Sequence, residues 1–517
     1  MADVIMILLA GAVAVLALLL ILSPRDIRRS RPGAIYLAPF LLFLLFVVYP
    51  SGPGMPADGS DGPVFSELTA HPDDRIHIIF STSCTYFQQW QAEVLFHSYS
   101  KVGQRGRITR LISGCDHIDE RHHKDNFMHD NKEQVNSRSL ITRTTNTKAE
   151  FFFTPSFKEA EEFKFANKPF SVRAWANARE TDGTGPTHPN EIVVLIDPDM
   201  IFLAPITMEP IAKEHLLIKT NPKVDGANVV TNGHPVAAFY PIGVPWAKGG
   251  FFNQKWREAL DKDFDKKDFN EAVCGNGSPC TEVDQAQGWN HYTLGPPYMM
   301  HWDDFKKFVS TWTHFTVPTA KLTHNDLIAE MWSFAMSAAH LRLPHTMLDN
   351  MMISNPNEVD GSSFTEGWGY FADHLKGPMS CHEPTLPHGV DVANIIHYCQ
   401  NQHVMDDRGR AWMFHKGHVP EHILDCDMPL LKPPPDNIFN IQKGGKDRRR
   451  AFFICHIFKI INDAVLDYRT TFCPAGDVNK KKLIYLHQHG NSCGGKSHKT
   501  CFPLASLKPE GYEFTDP

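Results

Sequence analysis

The chain has 517 residues, of which 42% are hydrophobic, 21% charged and 11% aromatic; that is enough for one large or two ordinary domains with real cores, and it excludes a disordered, collagenous or low-complexity chain. Lys+Arg number 51 against 58 Asp+Glu, a net charge of -7 without a basic block, which makes the chain a poor candidate for binding a nucleic-acid backbone. Eleven cysteines are too few for a small disulfide scaffold, 35 Phe against 12 Tyr indicate a large aromatic core, and 28 His enlarge the pool of metal ligands.

Two apolar runs open the chain: residues 4–22 (VIMILLAGAVAVLALLLIL) and the slightly shorter residues 33–49, which contain Pro39. Neither carries a charge, and the first approaches the ~20 residues that span a bilayer. Arg25, Arg28, Arg29 and Arg31 lie between them, so the loop is expected on the cytoplasmic side and the segment 1–50 reads as a transmembrane hairpin or signal anchor. A cleaved signal peptide is the alternative. Either way the rest of the chain enters the secretory lumen, in the Golgi or the ER, where its cysteines can pair. Residues 51–72 are rich in Gly, Pro, Asp and Ser and read as a flexible stem.

The body, residues 73–440, begins with a buried strand, IHIIFST, after Arg75. A helix follows from Phe87, with Trp90, Val94, Leu95 and Tyr99 on one face. Ile108 opens a second strand (ITRLIS), Phe170 a second helix, and IVVLI is a third strand ending at Asp197; another helix is expected near residues 327–340. Alternating strands and helices predict an α/β fold with a mostly parallel sheet and ligands at the strands' C-terminal ends. The run Lys432-Pro433-Pro434-Pro435 and the later GGKDRRR mark a boundary, after which residues 441–517 read as a separate tail with Cys455, Cys473, Cys493 and Cys501.

Asp197-Pro198-Asp199, directly after IVVLI, is the main chemical signal. Two carboxylates at i and i+2 at the mouth of a sheet can turn toward one hard cation, and a divalent ion there can bridge the phosphates of a sugar nucleotide. An ordinary strand-to-loop turn with two exposed acids is the bland reading. Asp261/Asp263 and Asp263/Asp265 repeat the spacing inside DKDFDKKD, a run expected on a solvated helix face; Asp425/Asp427 flank Cys426 and read as a loop. Cys274 and Cys280 enclose GNGSP, a loop suited to a local disulfide, and Asn276-Gly277-Ser278 is a glycosylation sequon within it. In the tail Cys473, His487, His489, Cys493, His498 and Cys501 offer either zinc ligands or, in an oxidising lumen, further disulfides.

Longer matches, in order along the body, add a resemblance. They are IIFSTSCTYFQQWQAEVLFHSYSKVGQRGRITRLISGCD, NKPFSVRAW, VVLIDPDMIFLAPITME, GPPYMMHWDDF, AEMWSFAMSAAHLRLPHTMLDNMMI, IIHYCQ and WMFHKGHVPEHILDCDMPLLKPPP. The chain resembles the plant and green-algal peptidyl serine α-galactosyltransferases, relatives of the hydroxyproline O-arabinosyltransferases. The resemblance implies a GT-A type glycosyltransferase fold, UDP-galactose as donor, Mn2+ as metal and serine hydroxyls of Hyp-rich, extensin-like peptides as acceptor. Asp199 would ligate the metal with Asp197 beside it or on the ribose, and His397 would complete the site. Lys416 would reach the diphosphate; its alternative is a surface lysine. Ser81, Thr82 and Ser83 at the first strand's exit would hold the uridine, or simply form a strand-to-helix turn. Asn167 and Lys168 would assist the donor's phosphates or sugar, or be a helix cap beside a solvated lysine. An α-galactoside made from an α-linked donor retains configuration, so Glu330 and Asp349 become candidate acceptor-side carboxylates, each with a capping or tethering alternative. Trp302, Trp312 and Trp332 are either sugar or peptide platforms or core residues. Two competing readings stand beside this one: a hydroxyproline arabinosyltransferase or another UDP-sugar peptide O-glycosyltransferase, and an inactive, membrane-tethered glycopeptide-binding protein.

Overall fold

The computed structural model describes residues 71–115, 141–158, 161–208, 230–240, 243–247, 266–356, 368, 372–384, 392–409, 411–442 and 444–474, together with 483, 484, 486, 514 and 515. The two N-terminal apolar runs, the arginine loop, nearly all of the stem, the DKDFD aspartates and the tail's His487, His489, Cys493, His498 and Cys501 lie outside the described residues. Among the described residues no helix is long and apolar enough to cross a membrane.

A single turn of 3-10 helix, Pro72–Arg75, leads into β1 (Ile76–Ser83). Then come α1 (Tyr86–Lys101), β2 (Arg107–Ser113), β3 (Ala149–Thr154), α2 (Asn167–Thr181), β4 (Ile192–Ile196) and β5 (Met200–Phe202). The second half adds β6 (Val236–Phe239), α3 (Lys266–Cys274), β7 (Leu294–His301), α4 (Trp302–Leu322), α5 (Ile328–His340), β8 (Thr346–Leu348) and β9 (Met352–Ile353). β10 (Ile395–His397), β11 (Gln402–Met405), β12 (Ala411–Phe414) and the long α6 (Gly445–Phe472) complete the part that matters for the site.

Seven strands form the central sheet in the order β3-β2-β1-β4-β7-β6-β8. The sheet is mostly parallel, as expected; only β7 runs against its neighbours β4 and β6. IVVLI is the fourth strand in chain order rather than the third, because AEFFFT forms β3 at the sheet's edge; its residues are only half-buried, so it lacks the strong apolar signature of β1 and β4.

Side chains alternate across a strand, and the cores follow that period. Ile79, Val193 and Leu195 join one cluster with α2, α4 and α5, whereas Ile76, Ile78, Phe80, Val194 and Ile196 join the cluster on the α1 face. Both faces of β1 and β4 are therefore covered, which is why their sequences read as unbroken apolar runs. Thr85 caps α1 by accepting from the Gln88 N–H, and His301 caps α4 by accepting from the Asp303 N–H.

Residues 445–472 were expected in a separate tail, and here the structure differs. They form α6, whose Phe452, Phe453, Ile457, Phe458, Ile461 and Val465 share a core with Trp90 and Val94 of α1 and with Ile396, Tyr398 and Phe414. Residues 70–517 accordingly form one compact unit. Two of the tail's cysteines tie it to the body, in the disulfides Cys381–Cys455 and Cys426–Cys473. Cys84–Cys115 joins the exits of β1 and β2, and Cys274–Cys280 forms as the spacing predicts, with Asn276 exposed on the loop it closes.

Candidate metal and donor site

The site grows from the C-terminal end of β4, which delivers Asp197, and from the start of β5, which fixes Asp199 just before Met200. β5 pairs antiparallel with β10, placing His397 opposite Met200, and the Tyr398 N–H donates to the Asp199 carbonyl at 3.1 Å. That pairing carries an imidazole from late in the chain onto the aspartates. From the other side come Lys168 in the first turn of α2 and Glu330 in the first turn of α5, while a 3-10 turn, Lys416–His418, presents Lys416.

Each carboxylate divides its oxygens in the same way. Asp197 sets Oδ1 2.7 Å from Lys168 Nζ and Oδ2 3.8 Å from His397 Nε2. Asp199 gives Oδ2 to Lys416 Nζ and holds Oδ1 3.3 Å from the same His397 Nε2. One ligand atom from each residue lies within 4.8 Å of the other two. Ligands bound ~2.0–2.6 Å from a hard cation stand roughly 3–4 Å apart, so two carboxylate oxygens and one imidazole nitrogen fit a divalent ion. Lysine neutralises the outer oxygen of each acid and leaves the inner one for a cation.

The electrostatics agree. Burial opposes ionisation of Asp199, yet the Lys416 ammonium and the His397 imidazole outweigh it and hold the carboxyl well below the usual carboxylate range. Burial also disfavours a charged Lys168, but Asp197 and Glu330 hold its pKa above the ordinary lysine value. Glu330 is pushed up by burial and by Asp197, with Lys168 opposing. Tyr298 and Tyr398 are buried with their phenols pushed well up, Tyr298 beside Glu330 and Asp197 and Tyr398 beside Asp199. The hydroxyls of both tyrosines have no hydrogen-bond partner, and Glu330 Oε1 is ion-paired to Lys168 Nζ at 3.2 Å. The two phenols thus bring polar atoms beside the aspartates that a ligand there could pair.

Of the residues singled out from sequence, the structure brings together Asp197, Asp199, His397, Lys168, Lys416 and Glu330. The exit of β1 lies alongside, but its polar side chains are already engaged. Ser81 Oγ bonds Ser171 Oγ at 2.9 Å, Thr82 Oγ1 accepts from the buried Arg110 at 2.9 Å, and Ser83 Oγ accepts from Asn167 Nδ2 at 3.1 Å. Asn167 Oδ1 accepts from the Phe157 N–H at 2.8 Å, so its amide ties β1 to the segment before α2; the cap position itself is Ala166. Asp349 stands half-buried in the turn between β8 and β9. Trp302, Trp312 and Trp332 are 2%, 0% and 0% exposed, so all three are core residues and none is a platform. Sequence reasoning passed over Tyr298 and Tyr398; the signal present was a tyrosine within the apolar β7 and another directly after β10.

No protein-family model matches the chain. Over 417 residues it is 24% identical to a peptidyl serine alpha-galactosyltransferase of Arabidopsis thaliana, a match that takes in 77% of this chain and 39% of that protein. The resemblance read from the motifs thus meets a curated relative of that name, and the chain spans about two fifths of that relative's length. A solved structure, galactosyltransferase LgtC in complex with donor and acceptor sugar analogues, matches 63% of this chain and 87% of its own at 11% identity, with a TM-score of 0.30. A superposition that loose carries no residue of LgtC onto this site.

Proposed function

We propose that the chain is a glycosyltransferase of the GT-A type that moves galactose from UDP-galactose, with retention, onto serine hydroxyls of Hyp-rich, extensin-like peptides. One observation carries the reading: at the mouth of β4, two carboxylates each place one oxygen on a lysine and the other toward a shared imidazole. Asp197, Asp199 and His397 would hold a divalent ion, Mn2+ in this reading, which when bound supplies Lewis-acid neutralisation of the diphosphate. Lys416 adds a cation beside that charge as it develops, the electrostatic contribution that usually dominates such chemistry. Lys168, anchored on Asp197, fixes the aspartate's orientation. The acceptor hydroxyl's proton passes to the departing phosphate oxygen on the same face, so retention needs no enzyme base.

The activity for which the Arabidopsis relative is named and the seven motif blocks support galactose and serine. Four disulfides among the described residues support an oxidising compartment, the lumen of the Golgi or the ER. The apolar runs at 4–22 and 33–49 support a membrane anchor there.

The test is UDP release by the full-length protein in detergent, with UDP-galactose, UDP-glucose and UDP-arabinose in turn, with Mn2+ or EDTA and with or without a serine-containing Hyp-rich peptide. Mn2+-dependent release that prefers UDP-galactose and rises with the peptide is expected. Preference for UDP-arabinose moves the chain to the arabinosyl reading; tight glycopeptide binding with no release from any donor makes it a binding protein.

A further inference from the structure

We infer that Tyr298, Glu330 and Lys168 form the subsite that reads the hydroxyl groups of the transferred sugar. The inference rests on the transferase reading and goes beyond it by naming what confers donor specificity.

Tyr298 lies on β7, where it pairs with Leu195 of β4, two positions before Asp197. Its ring belongs to the core: it is 1% exposed and stacks on Phe334 with centroids 3.8 Å apart. A phenylalanine would fill that volume equally well. The hydroxyl is the anomaly, because it is buried without a partner, and burying a hydroxyl unpaired costs ~1–3 kcal/mol. Glu330 stands beside it. Its backbone carbonyl is pinned by Trp312 Nε1 at 3.1 Å and Ser333 Oγ at 2.9 Å, which fixes the root of the side chain, and its carboxylate is buried with the Lys168 ammonium as its ion-pair partner. Lys168 joins the two: its Nζ is 2.7 Å from Asp197 Oδ1, 3.2 Å from Glu330 Oε1 and 6.0 Å from the centre of the Tyr298 ring.

The position of this group decides its ligand. Asp197 faces it with Oδ1 and faces His397 with Oδ2, so the two lie on opposite sides of one aspartate. A diphosphate bound on the Asp197–Asp199–His397 side leaves its sugar within one ring's length of Asp197. A carboxylate acceptor, an ammonium donor and a phenol that does either together complement neighbouring hydroxyls on a ring. A phosphate is disfavoured next to Glu330, and an apolar group would leave the Tyr298 hydroxyl unpaired.

The experiment compares wild type, Tyr298→Phe and Glu330→Gln, full length, with three readouts: affinity for UDP with Mn2+ by calorimetry, kcat/KM for hydrolysis of UDP-galactose against its C4 epimer UDP-glucose without acceptor, and KM for a serine-containing Hyp-rich peptide. Tyr298→Phe keeps the ring stack, so it folds, as its melting temperature will confirm. Expected are UDP affinities within about twofold of wild type and epimer discrimination reduced ~10-fold in Tyr298→Phe and ~100-fold in Glu330→Gln. Three results overturn the proposal while leaving the transferase reading intact. The discrimination is unchanged in both variants; or UDP affinity falls as far as turnover with the ratio unchanged, which makes the residues supports of the metal centre; or donor hydrolysis is untouched and only the KM for peptide rises, which assigns the group to the acceptor. A wild-type protein that neither binds UDP nor turns over any donor removes the transferase reading and the subsite together.

Discussion

Asp199 Oδ1 lies 3.3 Å from His397 Nε2 although the two residues belong to distant parts of the chain, and a three-residue strand pairing holds them there. The pairing of β5 with β10 sets the backbone, the Tyr398 N–H bond to the Asp199 carbonyl locks it, and the side chains then converge. The centre is thus built by sheet register. Asp199→Ala is expected to abolish Mn2+-dependent UDP binding. His397→Ala should weaken Mn2+ by at least ~100-fold, because even losing an outer partner of a metal ligand costs ~10–100-fold. Calorimetric titration of Mn2+ checks both; wild-type affinity in either variant would remove the ligand assignment.

Lys416 pairs with the carboxylate that would ligate the proposed metal. Asp199 is 5% exposed, so removing its ammonium partner leaves a buried charge with the His397 imidazole alone beside it, and breaking such buried pairs costs up to ~3–5 kcal/mol. Lys416→Ala should therefore melt well below wild type without divalent ions, and saturating Mn2+ should restore more stability to the variant than it adds to wild type. Thermal melts with EDTA and with Mn2+ give the comparison. Equal gains in both proteins would mean that the ion does not meet Asp199.

The parts of this centre that could be read from the chain were those with strong local signals. An apolar run ending in Asp-Pro-Asp announces a strand mouth because both faces of β4 are buried and the two acids come at once. His397 needed the resemblance, since an imidazole after IIH carries no local mark of its distant partner. The roles of Ser81, Thr82, Ser83 and Asn167 were not legible: whether a small polar side chain meets a ligand or a neighbour depends on contacts such as Arg110 to Thr82, set by another strand. Tyr298 was hidden for the opposite reason, being an aromatic in a strand whose ring does pack in the core.

α6 was misplaced because Pro433 to Pro435 and the glycines before it look like a linker, while the apolar face that follows has its partners in α1, more than three hundred residues earlier. Phe453 is 0% exposed within that interface, so Phe453→Ala is expected to cost ~3–5 kcal/mol of the stability of the whole body. Urea unfolding followed by tryptophan fluorescence measures it, since Trp90 and Trp412 report from the same core. A variant that unfolds with a wild-type midpoint would restore the separate tail.

Asp425 yields the clearest dependence on pH. It sits beside Cys426 in the turn that the Cys426–Cys473 disulfide ties to the end of α6, 3.9 Å from His422, with its side chain 24% exposed. Burial and the neighbouring Asp427 push its carboxyl up to about 7, against the pull of Arg469. An unfolded aspartate ionises near ~4, so between roughly pH 4 and 7 the unfolded chain gives up a proton that the folded chain keeps. The stability linked to this group is fully present below the unfolded pKa and is lost as pH rises through about 7. Asp425→Asn, which cannot ionise, should match wild type at pH 4 and exceed it at pH 8. The full shift would correspond to ~4 kcal/mol at ~1.4 kcal/mol per unit, and partial exposure reduces the expected gain to ~1–2 kcal/mol. Urea midpoints at the two pH values decide the matter: an equal gain at both would come from packing or hydrogen bonding, and no gain at pH 8 would mean that the carboxyl ionises in the fold as readily as in the unfolded chain.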